Sequence, residues 1–202
     1  MRYVMRLDVL HRSRLSPEQL ALFTAITTGA RADNAQGFLK TGESVESLAG
    51  PFNVLLYSPK TGLAVQQLGA HLRYGSLLTP RERELVILTV AAAESSEYEQ
   101  AAHEAIALAI GLSPSDLQAL REQQIPRGLR PAETAVATLA LRLALDKDLS
   151  DTAYEASRRL VSEPRIVDVV ATVGYYQSIA LLLRTFRVHP PTSSSGVTTE
   201  ES

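Results

Sequence analysis

An apolar run from Leu85 to Ala93 constrains the fold of this chain more than any other stretch of the sequence. The run is apolar around nearly the whole circumference of a helix, so it needs packing partners on every side, and we expect this helix to be central. Thr79 and Pro80 precede it, and Glu82 completes a capping box, which predicts where the helix begins. The run is too short to span a bilayer, and no other stretch of the sequence is long and apolar enough to do so.

A second helix is predicted from about Glu97 to Ile110. Ser96 followed by Glu99 forms a second potential capping box, and Gly111 occupies the position at which a left-handed residue ends a helix. His103 falls on the stripe of this helix that continues into aliphatic residues, one turn after Glu99. The histidine is therefore predicted to face the interior.

The short break at residues 94–96 predicts that the two helices pack antiparallel. Glu84 and His103 both lie well along their helices from this break, so we expect the two side chains to approach each other across one pocket. A partly buried carboxylate tends to have a raised pKa, which suits it to proton transfer. Glu99 either orients the imidazole of His103 or forms an ordinary i,i+4 pair.

Repeated Ser-Pro and Thr-Pro pairs predict an all-α protein, because each pair places a capping hydroxyl before a first-turn proline. The stretch from Phe52 to Tyr57 is too short for periodicity to distinguish a strand from a buried helix. One predicted face of helix 59–74 carries Leu63, Gln66 or Gln67, Ala70 and Tyr74, and Gly174 inside the last helix predicts close approach of another element. The remaining predicted helices are 17–28, 59–74, 114–122, 131–145, 150–161 and 164–186.

Length and composition predict a single domain over residues 1–190, followed by a polar, disordered tail at 191–202. Residues 30–46 have no sustained period and are expected to form a long connection. The N-terminus lacks the continuous apolar segment of a secretory signal, so we expect a cytoplasmic protein that does not associate with membranes. The net charge of −2 provides no basic field for a nucleic acid.

Several spaced motifs, in this order along the chain, resemble the carboxymuconolactone decarboxylase family, which includes alkylhydroperoxidase D-like proteins. The central pair reads R-E-L-x-I-L-x-V-A from Arg83 and S-E-Y-E-x-x-x-H-E-x-I-A-L from Ser96. Shorter matches begin at Gly50, Leu68 and Val173. The resemblance runs from about Leu15 to Pro190.

The resemblance implies the AhpD-like helical fold, built around the antiparallel pair, and a helix at Phe52 to Tyr57. It also implies a homo-oligomer, a trimer or a hexamer, with active-site roles for Glu84 and His103. The implied activity is that of a cofactor-free lyase resembling 4-carboxymuconolactone decarboxylase, acting on a small carboxylated, cyclic compound by acid–base chemistry. Two alternatives stay open: an isomerase or cyclase that uses the same pair, and a catalytically silent oligomeric binding module.

The sequence departs from the family at its redox residues. The redox branch carries two cysteines where this chain has Ser96 and Glu99, and the chain has no cysteine at all, which excludes a dithiol peroxidase. Ser96 is expected to cap its helix or to bind substrate. Arg73 and Arg83 are candidate ligands for an acidic substrate, with solvated surface arginines as the alternative, and Tyr175 either lines a pocket or packs in the core. One Glu and one His fall short of the three ligands of a catalytic zinc, so no metal is expected.

Overall fold

The structure is a computed structural model and describes residues 4–28 and 45–190. Over these ranges it contains nine α-helices, a 3₁₀ turn at Arg12–Arg14, and an isolated β-bridge between His11 and Ser47, but no strand. The helices are α1 (Pro17–Thr28), α2 (Pro51–Leu55), α3 (Pro59–Tyr74), α4 (Pro80–Ala93), α5 (Glu97–Ala109), α6 (Pro114–Arg121), α7 (Pro131–Asp146), α8 (Asp151–Arg158) and α9 (Glu163–Phe186). The all-α prediction is confirmed, and the short stretch after Gly50 is helical.

The helix starts follow the capping chemistry in the sequence. The side chains of Thr79 and Ser113 each accept a hydrogen bond from the backbone N–H three residues on. The acidic side chain at that later position accepts a hydrogen bond from the backbone N–H of the cap residue, so both positions form complete capping boxes. Ser96 occupies the N-cap position of α5 but makes no side-chain cap bond. The capping box predicted for Ser96 and Glu99 is wrong because the Glu99 carboxylate contacts His103 instead.

Helix α4 is central, as the apolar run predicts. Every residue from Glu84 to Ala92 is buried, and α4 packs against α5, α6, α7 and α9. One hydrophobic cluster joins its Val86, Ile87 and Val90 to α7 and α9, and a second joins its Leu85 and Leu88 to α5 and α6. The head of α4, where Glu84 stands, is therefore enclosed by the helices around it.

The sequence predictions about α3 and α9 differ from the structure. The buried stripe of α3 is rotated from the predicted one, since Gln66 at its edge is buried together with Gly62, whereas Leu63 and Tyr74 are exposed. A Cβ at Gly62 would lie 2.6 Å from the carbonyl oxygen of residue 55, so the close approach that we expected at the glycine of α9 occurs here. A Cβ at Gly174 would meet no atom of the described residues within 4 Å.

One helix in the described part of the chain, α9, is long and apolar enough to cross a membrane by length and composition alone. Asp168 interrupts the apolar run of this helix, so the sequence pattern alone does not predict a helix long and apolar enough to span a membrane. Half of its most apolar window is buried inside the molecule, where Val169, Val173 and Ile179 belong to the main hydrophobic cluster. In this structure α9 is packed as a core helix.

Two predicted segments fall mostly or entirely outside the described residues. These are the connection at 30–46, of which only the last two residues are described, and the tail at 191–202. Where the description resumes, Val45 and Leu48 are buried against Leu22 and Phe23 of α1. The chain therefore enters α2 across the inner face of α1.

Candidate active site

Glu84 and His103 meet directly between α4 and α5. The Nδ1 atom of His103 lies 2.6 Å from Oε2 of Glu84, and the two residues are 5% and 0% exposed. The predicted approach of these side chains is confirmed. Because Glu84 lies in the first turns of α4 and His103 in the middle of α5, the contact also fixes the register between the two helices.

A second carboxylate lies on the other side of the imidazole. Oε2 of Glu99 is 3.4 Å from Nε2 of His103, and Glu99 is also buried. The contact is an i,i+4 pair within α5, and it orients the ring at the same time, so both interpretations of Glu99 describe the same contact. With a carboxylate at each ring nitrogen, the arrangement favours an imidazolium that donates from both nitrogens.

The charges around the pair favour the ionised form of Glu84 and the protonated form of His103. Burial by itself lowers the pKa of His103, but the adjacent Glu84, with help from Glu99, raises that pKa above its ordinary value. Burial likewise raises the pKa of Glu84, but His103, Arg73 and Arg83 together lower it below its ordinary value. The raised Glu84 pKa expected from the sequence is therefore wrong, because three cations surround this carboxylate.

Arg73 reaches the site from α3. Its Nη1 atom lies 3.3 Å from Nε2 and 3.5 Å from Nδ1 of His103. A donor that lies in the plane of the ring and bonds one nitrogen is much closer to that nitrogen than to the other. Because the two distances are nearly equal, we infer that the guanidinium lies against the face of the imidazole. The hydroxyl of Tyr176 is hydrogen-bonded to Arg73, and the Tyr176 ring meets the His103 ring edge-on with centroids 5.4 Å apart. Burial raises the pKa of Tyr176, so its hydroxyl stays neutral.

Arg83 is the second candidate cation, and it is not a solvated surface residue. Its side chain is 15% exposed, and its Nε lies 3.7 Å from Oε1 of Glu84. Among the described residues, this Nε and this Oε1 are both buried without a hydrogen-bond partner. The two atoms face each other as an ion pair that is too long for a hydrogen bond.

The other predicted site residues lie further from the histidine. Tyr175 packs against Tyr176, with ring centroids 5.1 Å apart, so the tyrosine that contacts His103 is the second of the pair. Ser96 lines a separate cavity of about 340 Å³ at the turn between α4 and α5, together with Arg184 and His189. Roles for Tyr175 and Ser96 in substrate binding stay predictions.

Arg81, which the sequence places beside the two site arginines, has a structural role. It bonds Glu133 at 3.0 Å and the carbonyl oxygen of Gly111 at 2.5 Å. The hydrogen bond from Arg130, with further help from Arg81, lowers the pKa of Glu133 to about 2. This group ties the start of α4 to the start of α7. Within residues 4–28 and 45–190, no cluster of three or more His, Asp or Glu side chains is placed to hold a metal ion.

Comparison with known proteins finds a family match over the region of the chain that carries the candidate site. Residues 59–142, which carry Arg73, Arg83, Glu84, Glu99 and His103, match the sequence model of the carboxymuconolactone decarboxylase family. A comparison with curated proteins finds no match.

Several solved structures share the fold. A peroxidase-related protein from Ralstonia eutropha JMP134, described as an alkylhydroperoxidase AhpD core, is 17% identical with a TM-score of 0.73, over 95% of each chain. A peroxidase-related protein from Silicibacter sp. TM1040 is 16% identical with a TM-score of 0.68, over 93% of this chain and 92% of that one.

The debrominase Bmp8, solved as a cysteine-to-alanine variant with 2,3,4-tribromopyrrole, is 13% identical with a TM-score of 0.71, over 95% of each chain. At these identities the structural comparisons establish the fold. Residues 59–142 of this chain, whose sequence contains no cysteine, are thus similar to the carboxymuconolactone decarboxylase family, and the described helices have the AhpD-like fold.

Proposed function

We propose that this protein is a cofactor-free lyase that removes carbon dioxide from a small carboxylated, cyclic compound by acid–base chemistry. The observation that carries the proposal is the 2.6 Å contact between Glu84 and His103 in the interior. A buried charge pair is costly to maintain, and a protein that only needed a stable core would do as well with apolar side chains there. The fold it shares with a debrominase solved with a halogenated pyrrole also supports action on a small molecule.

The charge of the site supports an anionic substrate. His103, Arg73 and Arg83 carry three positive charges, and Glu84 and Glu99 carry two negative ones, so the group has an excess of one positive charge. An entering carboxylate offsets this charge. The Nε of Arg83, which is buried without a hydrogen-bond partner among the described residues, is suited to donate to a carboxylate oxygen.

The reaction needs an electron sink and a proton donor. When the bond between the carboxyl carbon and the ring carbon breaks, carbon dioxide leaves, and the electron pair passes into a carbonyl of the substrate as an enolate. Arg73 and His103 stabilise that negative charge. His103 then donates its Nε2 proton to the carbon that has lost carbon dioxide, and water returns a proton to Nε2. The Nε2 contact with Glu99 is 3.4 Å and the Nδ1 contact with Glu84 is 2.6 Å, so Nε2 holds its proton the more loosely.

The test is turnover of a panel of small carboxylated lactones and cyclic β-keto acids, starting with 4-carboxymuconolactone. Carbon dioxide release is measured together with deuterium incorporation from D₂O at the former carboxyl position. We expect His103→Gln and Glu84→Gln each to lower kcat by about 10² to 10⁴, the range typical of general acid–base catalysis. Glu104→Gln on the same helix is the matched control, since Glu104 pairs with Arg121 on the outer face and is expected to leave the rate unchanged.

Other outcomes distinguish the alternatives. A rearranged or ring-closed product that retains the carboxylate, formed with the same dependence on Glu84 and His103, would replace the lyase with an isomerase or cyclase. Binding of carboxylates without any turnover would replace it with a silent binding module. Full activity in both substituted proteins would remove the pair from the mechanism.

A further inference from the structure

A second cavity lies between α7 and α8, away from the acid–base pair. Its volume is about 660 Å³, within the range of about 300 to 1,000 Å³ typical of small-molecule sites. None of its lining residues is Glu84, Glu99, His103 or Arg73. The groove is therefore separate from the residues on which the proposed function depends.

The groove is open because the two helices face each other through small side chains. Thr134, Ala135 and Thr138 of α7 lie opposite Ala153 and Ala156 of α8, and all five line the cavity. Closing the space would require larger side chains here or a closer approach of the axes. Helix α8 has no fully buried residue, and its Tyr154 is the side chain that packs against the main hydrophobic cluster.

The walls of the groove are apolar and its charge is positive. Leu129, Leu149 and Leu160 supply apolar surface, and among the described residues that line the cavity Arg142 is the one with a charge. The acidic neighbour of Arg142 is Asp146, at 3.8 Å, and both side chains are more than half exposed, so this pair is weak and leaves guanidinium N–H groups able to donate. The cavity lining contains no carboxylate to repel an anion.

We propose that the groove between α7 and α8 binds an amphiphilic monoanion, with its carboxylate or sulfonate at Arg142 and its apolar body against Leu149, Leu160 and the alanines of α8. The proposal follows from charge complementarity together with the apolar walls. Hydroxyls such as those of Thr138 and Ser157 line the same cavity and can donate to the remaining oxygens of the anionic group.

The probes are 8-anilinonaphthalene-1-sulfonate, followed by its fluorescence on titration into the full-length protein, and decanoate as its competitor. We expect one saturable site from which decanoate displaces the dye and 1-decanol, which lacks the charge, displaces it at least about fivefold less well. Arg142→Gln is expected to weaken dye binding about fivefold or more. The matched control is Arg158→Gln, because Arg158 pairs with Glu155 and Glu163 and does not line the groove.

Two variants fill the groove from opposite sides. Ala153→Phe on α8 and Thr138→Leu on α7 are each expected to weaken dye binding more than about tenfold, since the added side chain occupies the space of the ligand. Circular dichroism is used first to check that each variant is folded, and dye binding is compared only for the folded variants. Dye binding unchanged in Arg142→Gln, or unchanged in a folded groove-filling variant, would overturn the proposal. So would dye binding that falls as protein concentration rises, because a second copy of the chain would then occupy the groove.

Discussion

At the scale of single residues, His103 is held by contacts from three helices. Glu84 from α4, Glu99 from α5 itself and Arg73 from α3 all contact its ring within 3.5 Å. The two carboxylates stabilise the imidazolium, whereas the guanidinium opposes it, and the net effect is to raise the pKa of His103. The surroundings of the ring therefore favour its protonated form.

This arrangement predicts how His103 titrates. Its pKa, measured by NMR of the ring in the intact protein, is expected above the ordinary value of 6.5, and Glu84→Gln is expected to lower it by removing the main charge that raises it. Glu104→Gln is again the control and should leave the midpoint in place. A midpoint below 6.5 in the unsubstituted protein would contradict the imidazolium.

The same shifts predict how stability depends on pH. A raised pKa in the folded state means that the His103 contribution is fully present below about 6.5 and is lost as the pH rises through the folded pKa. The lowered pKa of Glu84 means that its contribution is present above about 4.5 and is lost as the pH falls through the folded pKa. The difference in Tm between the unsubstituted protein and His103→Gln is therefore expected to be largest between about pH 4.5 and 6.5 and to shrink at higher pH. A difference that grows with pH above 6.5 would contradict this sign.

The sequence predicts the pair itself but not its surroundings. The contact between Glu84 and His103 could be predicted because a short turn joins their helices, so that helix geometry gives the relative positions of the two residues. Arg73 comes from a helix that packs beside them, and its direction depends on which stripe of α3 is buried, which the sequence pattern placed incorrectly. The choice of Tyr176 over Tyr175 depends in the same way on the rotation of α9 about its axis. The lowered pKa of Glu84 follows from these long-range contacts and could not be predicted without them.

At the scale of helices, the ends are the best predicted part of the fold. The starts of α1, α3 and α4 match the predicted residues, because a hydroxyl followed by proline determines the local backbone without help from tertiary contacts. Ser96 shows the limit of this reasoning, since its expected partner Glu99 is drawn to the histidine. Gly174 shows a second limit, because the presence of a glycine in a helix does not indicate whether that position faces the core or the solvent.

The caps provide a matched test of this account. Thr79→Ala and Ser113→Ala each remove a complete capping box and are each expected to cost about 1 kcal/mol of unfolding free energy. Ser96→Ala, at a cap position without a side-chain cap bond, is expected to cost less than half as much. Urea denaturation at one pH measures all three. Equal losses at the three positions would show that the Ser96 hydroxyl stabilises the protein in another way.

At the scale of the whole molecule, the outer face of α9 supports the expectation of a homo-oligomer, for which the family resemblance implies a trimer or a hexamer. Val167, Val170 and Leu181 share this face and are 64%, 46% and 57% exposed. Monomeric proteins seldom expose such a continuous apolar stripe on a core helix. Light scattering is expected to give the mass of a trimer or hexamer, and the double substitution Val167→Glu with Leu181→Glu is expected to lower it.

The control for this experiment is Leu108→Glu, which introduces the same charge at an exposed leucine of α5. It is expected to leave the measured mass unchanged. A monomer at micromolar concentration in the unsubstituted protein would contradict the expectation.

The enclosure of α4 also affects how the chain emerges from the ribosome. One side of α4 is covered by α9, which lies about eighty residues further along the chain and is synthesised after every other described helix. Until α9 is complete, a nascent chain carries α4, which is buried from Glu84 to Ala92 in the folded protein, with that side exposed, a condition that favours aggregation or capture by a chaperone. A premature stop codon between residues 104 and 162 would therefore leave a fragment that contains Glu84 and His103 but lacks the helix that covers this side of α4.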